Sequence, residues 1–188
     1  PSYLNTQFGI KTTEGLGMAL IFTLYAIVML SLYGGKLPTI FIKRMKTNPY
    51  EARMRAMLIF AFIPLVVLFA QPLGTYSPWF PVILIGIGCA AHQSWSANIY
   101  TTVSDMFPKN AIATVTGIGG MAGGVSSMLM QACAGNLFVY ADEVQLEFLG
   151  FVGKPAGYFI IFCICSVAYL VGWIIMKTLV PRYKIIGG

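Results

Sequence analysis

His92, the only histidine in the chain, lies inside a stretch that is long enough to cross a membrane. Residues 56–104 contain no Lys, Arg, Asp or Glu. The later part of this stretch is nevertheless polar and aromatic, with the sequence Gln93, Ser94, Trp95, Ser96, Ala97 and Asn98 directly after His92. Polar groups in hydrocarbon are costly unless they are paired or face an aqueous cavity, and they are therefore candidates for a functional site. The pattern favours a pathway through a membrane over the active site of a soluble enzyme.

The residue types in this stretch indicate what such a site could bind. On a helix, His92, Trp95 and Ser96 share one face, Gln93 lies on the adjacent face and Asn98 continues a polar edge. A histidine can donate, accept or carry a proton near neutral pH, and amides offer paired donors and acceptors for hydroxyls and carboxylates. Trp offers a flat face for a sugar-like carbon skeleton. We predict that these five residues contribute to a binding site for a hydroxylated organic anion; hydrogen bonding between helices alone is the alternative.

The composition is typical of an integral membrane protein. Hydrophobic residues make up 57% and charged residues 10% of the 188 residues, and the mean hydropathy is +0.77. A soluble domain would carry roughly 25% charged residues. The net charge of +6 does not indicate a nucleic-acid partner, because the basic residues cluster in short segments between apolar runs. The predicted environment is a lipid bilayer.

No arrangement of residues predicts catalysis, a cofactor or a metal site. The sequence contains no nucleophile–base pair, HExxH motif or phosphate-binding loop. The cysteines lie in apolar runs without a CxxC pair, as small buried side chains do. They are Cys89, Cys133, Cys163 and Cys165. The chain begins at Pro1 without a signal peptide, and we expect it to be a fragment of a longer protein.

Five charge-poor intervals are long enough to be membrane helices, which need about 20 mostly apolar residues. Pro64 lies inside the second interval and is expected to disturb that helix. The predicted spans are residues 15–35, 56–74, 80–104, 110–140 and 155–177. The fold class is therefore all-α, with five transmembrane helices in one bundle, residues 1–188.

The distribution of basic residues predicts the orientation of the bundle. If the spans alternate in direction, ten of the twelve basic residues fall on one side. The remaining two, Lys11 and Lys154, share the other side with Glu14, Asp142 and Glu143. Loops rich in Lys and Arg remain in the cytoplasm, so the N-terminus is expected outside and the C-terminus inside the cell.

The fourth span is rich in glycine at spacings of four residues. Small residues four apart lie on one helix face and let a second backbone approach closely. We predict that this face packs against another helix, and that it could also slide during a conformational cycle. The residues are Gly117, Gly119, Gly120, Gly123 and Gly124.

Asp105 follows the third span and precedes the fourth. Ser104 or Asp105 could cap the next helix, where a negative charge is favoured by the helix dipole. A salt bridge that acts as a gate is the other expected role for Asp105.

Several segments of the chain resemble the major facilitator superfamily, and more narrowly the hexuronate permeases of its anion:cation symporter family. The resemblance covers nearly the whole chain, and five segments carry it. They are PSYL at 1–4, GGKL at 34–37 with the pair Lys43–Arg44, AHQSWSAN at 91–98, SDMFPK at 104–109 and VTGIGGMAG at 115–123. One departure is Thr39, beside Pro38, where relatives often carry an Asp in the loop that forms a cytoplasmic charge gate.

The resemblance implies that the five spans are helices eight to twelve of a twelve-helix carrier in the inner (plasma) membrane. Such carriers bind substrate near the midplane between two halves and alternate their access. Proton-coupled uptake of a sugar acid is then expected, with the missing N-terminal half as the main partner and as the source of most cationic and protonating groups. A carrier for a different organic anion, or a membrane subunit or sensor without transport, are the alternatives.

Overall fold

The computed structural model describes residues 2–185, so Pro1 of the first matching segment lies outside the described residues. Eight α-helices and one short hairpin form this part of the chain. The helices are α1 (Ser2–Phe8), α2 (Gly15–Val28), α3 (Lys36–Met45), α4 (Pro49–Phe62), α5 (Ala70–Gly74), α6 (Trp79–Met106), α7 (Lys109–Glu143) and α8 (Lys154–Leu179). The hairpin pairs β1 (Glu147–Phe148) with β2 (Phe151–Val152) in antiparallel register.

Short 3₁₀ helices join some of these helices into longer rods. Met29–Tyr33 links α2 to α3, and Ile63–Phe69 links α4 to α5. The α-helical pattern of α4 ends at Phe62, two residues before Pro64, where the sequence predicted a disturbance. Proline lacks the N–H that would bond to the carbonyl one turn earlier, and its ring crowds that carbonyl.

Four helical rods within residues 2–185 are long and apolar enough to cross a membrane. The structure therefore has the character of an all-α membrane protein. The rods are Gly15–Met45, Pro49–Gly74, Lys109–Glu143 and Lys154–Leu179. The 28-residue helix α6 is also long enough, but the polar residues from His92 onward interrupt its apolar run. The count of five crossings stays a prediction that depends on α6.

The junction between α6 and α7 differs from the expected one. Asp105 does not cap α7, because α6 continues through Met106 and Pro108 occupies the N-cap position without a side-chain cap. A residue that precedes proline is pushed toward extended backbone, and Phe107 has φ −107° and ψ 149°. The chain therefore turns at Phe107 and Pro108, which leaves Asp105 in the last turn of α6.

Polar contacts between helices mark the two ends of the bundle, which we refer to as the basic end and the hairpin end. At the basic end, Arg53 near the start of α4 pairs with Asp105 of α6, and the Tyr183 hydroxyl donates to the Asp105 backbone carbonyl. At the hairpin end, the Tyr3 hydroxyl of α1 donates to Gln71 Oε1 over 2.9 Å. Within residues 2–185, α1 therefore lies at the hairpin end and the segment after α8 lies at the basic end.

The core is built around α6, which packs between the first two rods and α8. Ala56, Met57 and Phe60 of α4 are buried against Trp95 of α6. The indole N–H of Trp173 on α8 donates to the Met54 carbonyl over 2.9 Å. Large side chains from three helices therefore fix α6 in place and, with it, the polar segment that begins at His92.

Candidate functional site

The polar segment of α6 spreads its side chains over three faces. His92, Trp95 and Ser96 point toward α7 and α8, as helical spacing predicted. Gln93 instead lies beside α2, and Asn98 is buried at 1% exposure within the bundle. Because successive helical residues are rotated by about 100°, five polar residues within seven positions cannot all face one cavity.

A tyrosine that the sequence analysis did not select completes the His92 face. The hydroxyl oxygen of Tyr169 on α8 lies 2.6 Å from Nδ1 of His92, within hydrogen-bonding distance. The Trp95 ring meets the same tyrosine edge to face, with ring centroids 5.6 Å apart. One tyrosine therefore holds both aromatic rings of the predicted site. The sequence signal for Tyr169 is weak, because its hydroxyl is one of several in a mostly apolar helix, along with those of Tyr158 and Ser166.

The cavity on the basic-end side of this cluster has a volume of about 320 Å³. Residues of α6, α7 and α8 form its walls, whose surface is mostly apolar and is interrupted by hydroxyl, imidazole and indole groups. They are His92, Trp95, Ser96, Ile99, Tyr100, Val103, Val115, Thr116, Gly119 and Tyr169. We refer to this space as the basic-end cavity.

A second cavity of about 290 Å³ lies on the other side of the same cluster, and we refer to it as the hairpin-end cavity. Its walls come from the 3₁₀ helix after α4 and from the N-terminal parts of α6 and α8. They include Pro64, Val67, Cys89, Phe162 and Cys165, together with His92 and Tyr169. The hydrogen-bonded pair of His92 and Tyr169 therefore lines both cavities.

Neither cavity has a Lys, Arg, Asp or Glu among its lining residues, all of which belong to the described part of the chain. The chemistry available here is hydrogen bonding by imidazole, indole and hydroxyl groups against apolar walls. A carboxylate bound in either cavity would obtain its cationic partner from elsewhere.

Gln93 and Asn98 occupy other environments. Gln93 borders a groove of about 450 Å³ formed largely by exposed apolar residues of α2 and of the 3₁₀ helix after it, such as Phe22 and Met29. The Asn98 side-chain amide donates to the Ser94 carbonyl over 2.8 Å, one turn earlier in the same helix. The structure therefore does not bring either residue to the cavities that His92 lines.

The Arg53–Asp105 pair is the second polar feature of the bundle. Arg53 Nε lies 2.5 Å from Asp105 Oδ2, and the two side chains are only 18% and 24% exposed. The sequence analysis predicted a salt bridge at Asp105 but did not identify its partner. Arg53 is one of six basic residues between the first two predicted spans, and nothing in the sequence distinguishes it from the others. This ion pair holds the start of α4 against the end of α6 at the basic end of the bundle.

The glycine face of α7 has no packing partner within residues 2–185. A methyl group built at Gly117, Gly119, Gly120, Gly123 or Gly124 would meet no atom within 4 Å. The close contact of α7 with this bundle lies instead near the hairpin end, where Phe138 and Ala141 pack on Gly157 of α8. The close packing that the sequence predicts for the glycine face therefore stays a prediction, and its partner would be a helix that does not belong to residues 2–185.

These features define a helical membrane protein with small open cavities, whose apolar walls carry a few polar groups. The chain is 28% identical over 152 residues to the hexuronate transporters of Escherichia coli K12 and O157:H7. The match covers 79% of this chain and 31% of each transporter, so the chain spans about a third of the length of these curated relatives. No family model and no solved structure matches it. The similarity supports a relationship to transporters and a multi-pass position in a membrane.

Proposed function

We propose that these helices belong to a secondary active transporter that takes up a hexuronate or a related sugar-acid anion. The observation that carries the proposal is the cluster of His92, Trp95 and Tyr169 beside two cavities, in a chain similar to hexuronate transporters. Ion coupling by protons and alternating access belong to the same proposal. His92 is its candidate proton acceptor, because a neutral imidazole has a ring nitrogen that can bind a proton.

The walls of the basic-end cavity suit a hydroxylated carbon skeleton. Trp95 is 6% exposed and is braced by Tyr169, so its ring is held in one orientation. Ser96 and Thr116 add hydroxyl groups that can donate to or accept from sugar hydroxyls. The cavity is open in these helices, where the His92 side chain is exposed; closure by the rest of the protein would exclude competing water and strengthen the hydrogen bonds formed there. The negative charge of the ligand would be met by residues from the rest of the protein.

In this proposal the five long helical segments are helices eight to twelve of a twelve-helix carrier in the inner (plasma) membrane. The basic end faces the cytoplasm. The missing N-terminal half packs on the glycine face of α7 and contributes the remaining substrate contacts. The Arg53–Asp105 pair at the basic end then acts as part of a cytoplasmic gate, because it joins α4 to α6, the helix that lines both cavities.

The experiment is counterflow of labelled glucuronate in proteoliposomes that contain the full-length protein. We expect saturable exchange that an inward proton gradient accelerates, and losses of at least about tenfold in His92→Gln and Trp95→Phe. Trp79→Phe, at the hairpin-end start of α6, is the matched control and should retain exchange.

The outcomes separate the alternatives. Exchange of other organic anions without glucuronate would identify a carrier of different specificity. No exchange of any anion by well-folded protein would favour a membrane subunit or sensor. Normal exchange by both His92→Gln and Trp95→Phe would overturn the assignment of the site.

A further inference from the structure

The hydrogen bond between Tyr169 and His92 lies at the partition between the two cavities. Along α6, the residues of the hairpin-end cavity run from Ile85 to His92, and those of the basic-end cavity run from His92 to Val103. On α8, Tyr169 is the lining residue that the two cavities share. A ligand or water molecule in either cavity is therefore next to the same imidazole–phenol pair.

The direction of this hydrogen bond depends on the protonation state of His92. A neutral imidazole with an unprotonated Nδ1 accepts the Tyr169 hydroxyl proton, and its own proton is then on Nε2. A protonated imidazole donates from both nitrogens, so Nδ1–H must donate to the Tyr169 oxygen instead. In that second state the Tyr169 hydroxyl proton is free to donate to another acceptor.

We propose that Tyr169 is a positioning residue that sets the tautomer of His92 and links its protonation to a hydroxyl donor at the partition. When a proton from a water-filled cavity binds Nδ1, the hydrogen bond reverses and the Tyr169 O–H turns toward an oxygen of the bound ligand. The proton leaves a hydronium ion in that cavity, so one O–H bond breaks and the Nδ1–H bond forms, while the Tyr169 O–H bond stays intact and only rotates. This inference rests on the proposed transport function and deepens it, because it connects proton binding to ligand binding at one pair of residues.

The surroundings favour His92 as the group that takes up the proton. Among the described residues that line the two cavities, the other titratable groups are Cys89 and Tyr100 of α6 and Cys165 of α8. The lining residues of α7 and of the 3₁₀ helix after α4 are not titratable, and they include Thr116 and Pro64. The neutral imidazole is the group in this set with a basic ring nitrogen that can bind a proton, whereas a neutral thiol or phenol is mainly a donor.

The test is nitrogen NMR of the full-length protein with ¹⁵N-labelled histidine, in which the His92 signals are assigned by their loss in His92→Gln. At a pH where His92 is neutral, the wild type should show an unprotonated Nδ1 and a protonated Nε2. Tyr169→Phe should give a mixture of tautomers, whereas Tyr76→Phe, in an exposed loop, should match the wild type. A wild-type His92 that is mainly protonated at Nδ1 in its neutral form would overturn the proposal without any variant.

Transport supplies the second readout. The loss of one hydrogen bond corresponds to about three- to tenfold in an equilibrium. We therefore expect Tyr169→Phe to lower sugar-acid uptake by about that factor and to displace its pH profile, while protein with Tyr76→Phe behaves as the wild type. An unchanged pH profile together with an unchanged tautomer ratio would refute the role of Tyr169. Wild-type protein that shows the expected tautomer but transports no sugar acid would refute the proposed function instead.

Discussion

Arg53 on α4 and Asp105 on α6 form an ion pair across the basic end of the bundle, with Nε and Oδ2 2.5 Å apart. The Tyr183 hydroxyl donates to the backbone carbonyl of the same Asp105 over 3.3 Å. At the same end, the Tyr50 hydroxyl donates a hydrogen bond to the Val180 backbone carbonyl. The segment after α8 is therefore tied to the two helices that the ion pair joins, and one aspartate sits at the junction of three chain segments.

Removal of one partner of this pair should destabilise the protein. Asp105→Asn leaves the Arg53 guanidinium partly buried without its counter-ion, and we expect a loss of about 1–3 kcal/mol. The change should appear as a lower midpoint of thermal unfolding in detergent. Lys109→Gln is the matched control, because Lys109 is an exposed charge at the same end.

A charge reversal tests the pairing itself. Arg53→Asp combined with Asp105→Arg should recover part of the stability that each single change removes, since the opposite charges meet again. Thermal midpoints of the double variant that lie below those of both single variants would contradict a direct pairing of these two side chains.

The adjacent glycines 34 and 35 should differ sharply in their tolerance of a methyl group. A Cβ at Gly34 would lie 2.1 Å from the Ser94 hydroxyl oxygen on α6, whereas a Cβ at Gly35 would meet nothing within 4 Å. Gly34→Ala should therefore cost about 1–3 kcal/mol of stability through overpacking, and Gly35→Ala should cost little. Thermal unfolding of the two variants provides the measurement. Ser94→Gly in the Gly34→Ala background should restore much of the loss; equal midpoints for the two alanine variants would contradict the contact.

The orientation predicted from charge can be checked by labelling. Single cysteines in place of Lys46 and Glu143, in a background without the natural cysteines, should react with an impermeant thiol reagent from opposite sides of the membrane. Both positions are exposed in the structure, so access does not limit the reaction. Reaction of both from the same side would rule out five crossings with the N-terminus outside.

The glycine face of α7 is predicted to matter for transport more than for the fold of this bundle. Because no described atom lies within 4 Å of a Cβ at Gly120, Gly120→Leu should leave the helices described above intact. It would instead overpack against a partner from the rest of the protein, at roughly 1–3 kcal/mol. A carrier whose states differ by only a few kcal/mol would then remain in one of them.

The measurement is uptake of sugar acid, normalised to membrane-inserted protein, in Gly120→Leu and in Ala122→Leu. We expect the larger loss in Gly120→Leu, since Ala122 lies on a different part of the helix surface. Equal uptake by the two variants would show that the glycine face is neither tightly packed nor moving in the full-length protein.

The helical character, the basic end and the position of the polar segment could be predicted from the sequence. Long apolar runs must form helices in a bilayer, because every backbone group needs an internal partner there. The change of helix type near Pro64 follows from the missing N–H of proline. These properties depend on local chemistry, and residues within one or two turns determine them.

Other features depend on contacts between helices that are distant in the sequence. Tyr169 lies 77 positions after His92, and Arg53 lies 52 positions before Asp105, so no local pattern connects either pair. The capping role expected for Asp105 was wrong because α6 continues to Met106 before proline turns the chain.

The sequence by itself thus determined the all-α character of the chain, its long apolar helices and which end of the bundle is basic. Only the tertiary structure decided that His92 and Trp95 share a tyrosine, whereas Gln93 and Asn98 lie on other faces of α6. The physical reason is that helical spacing specifies the angle between side chains on one helix but not the identity of the neighbour that each angle meets. That neighbour depends on how large side chains from α4, α6 and α8 fit together.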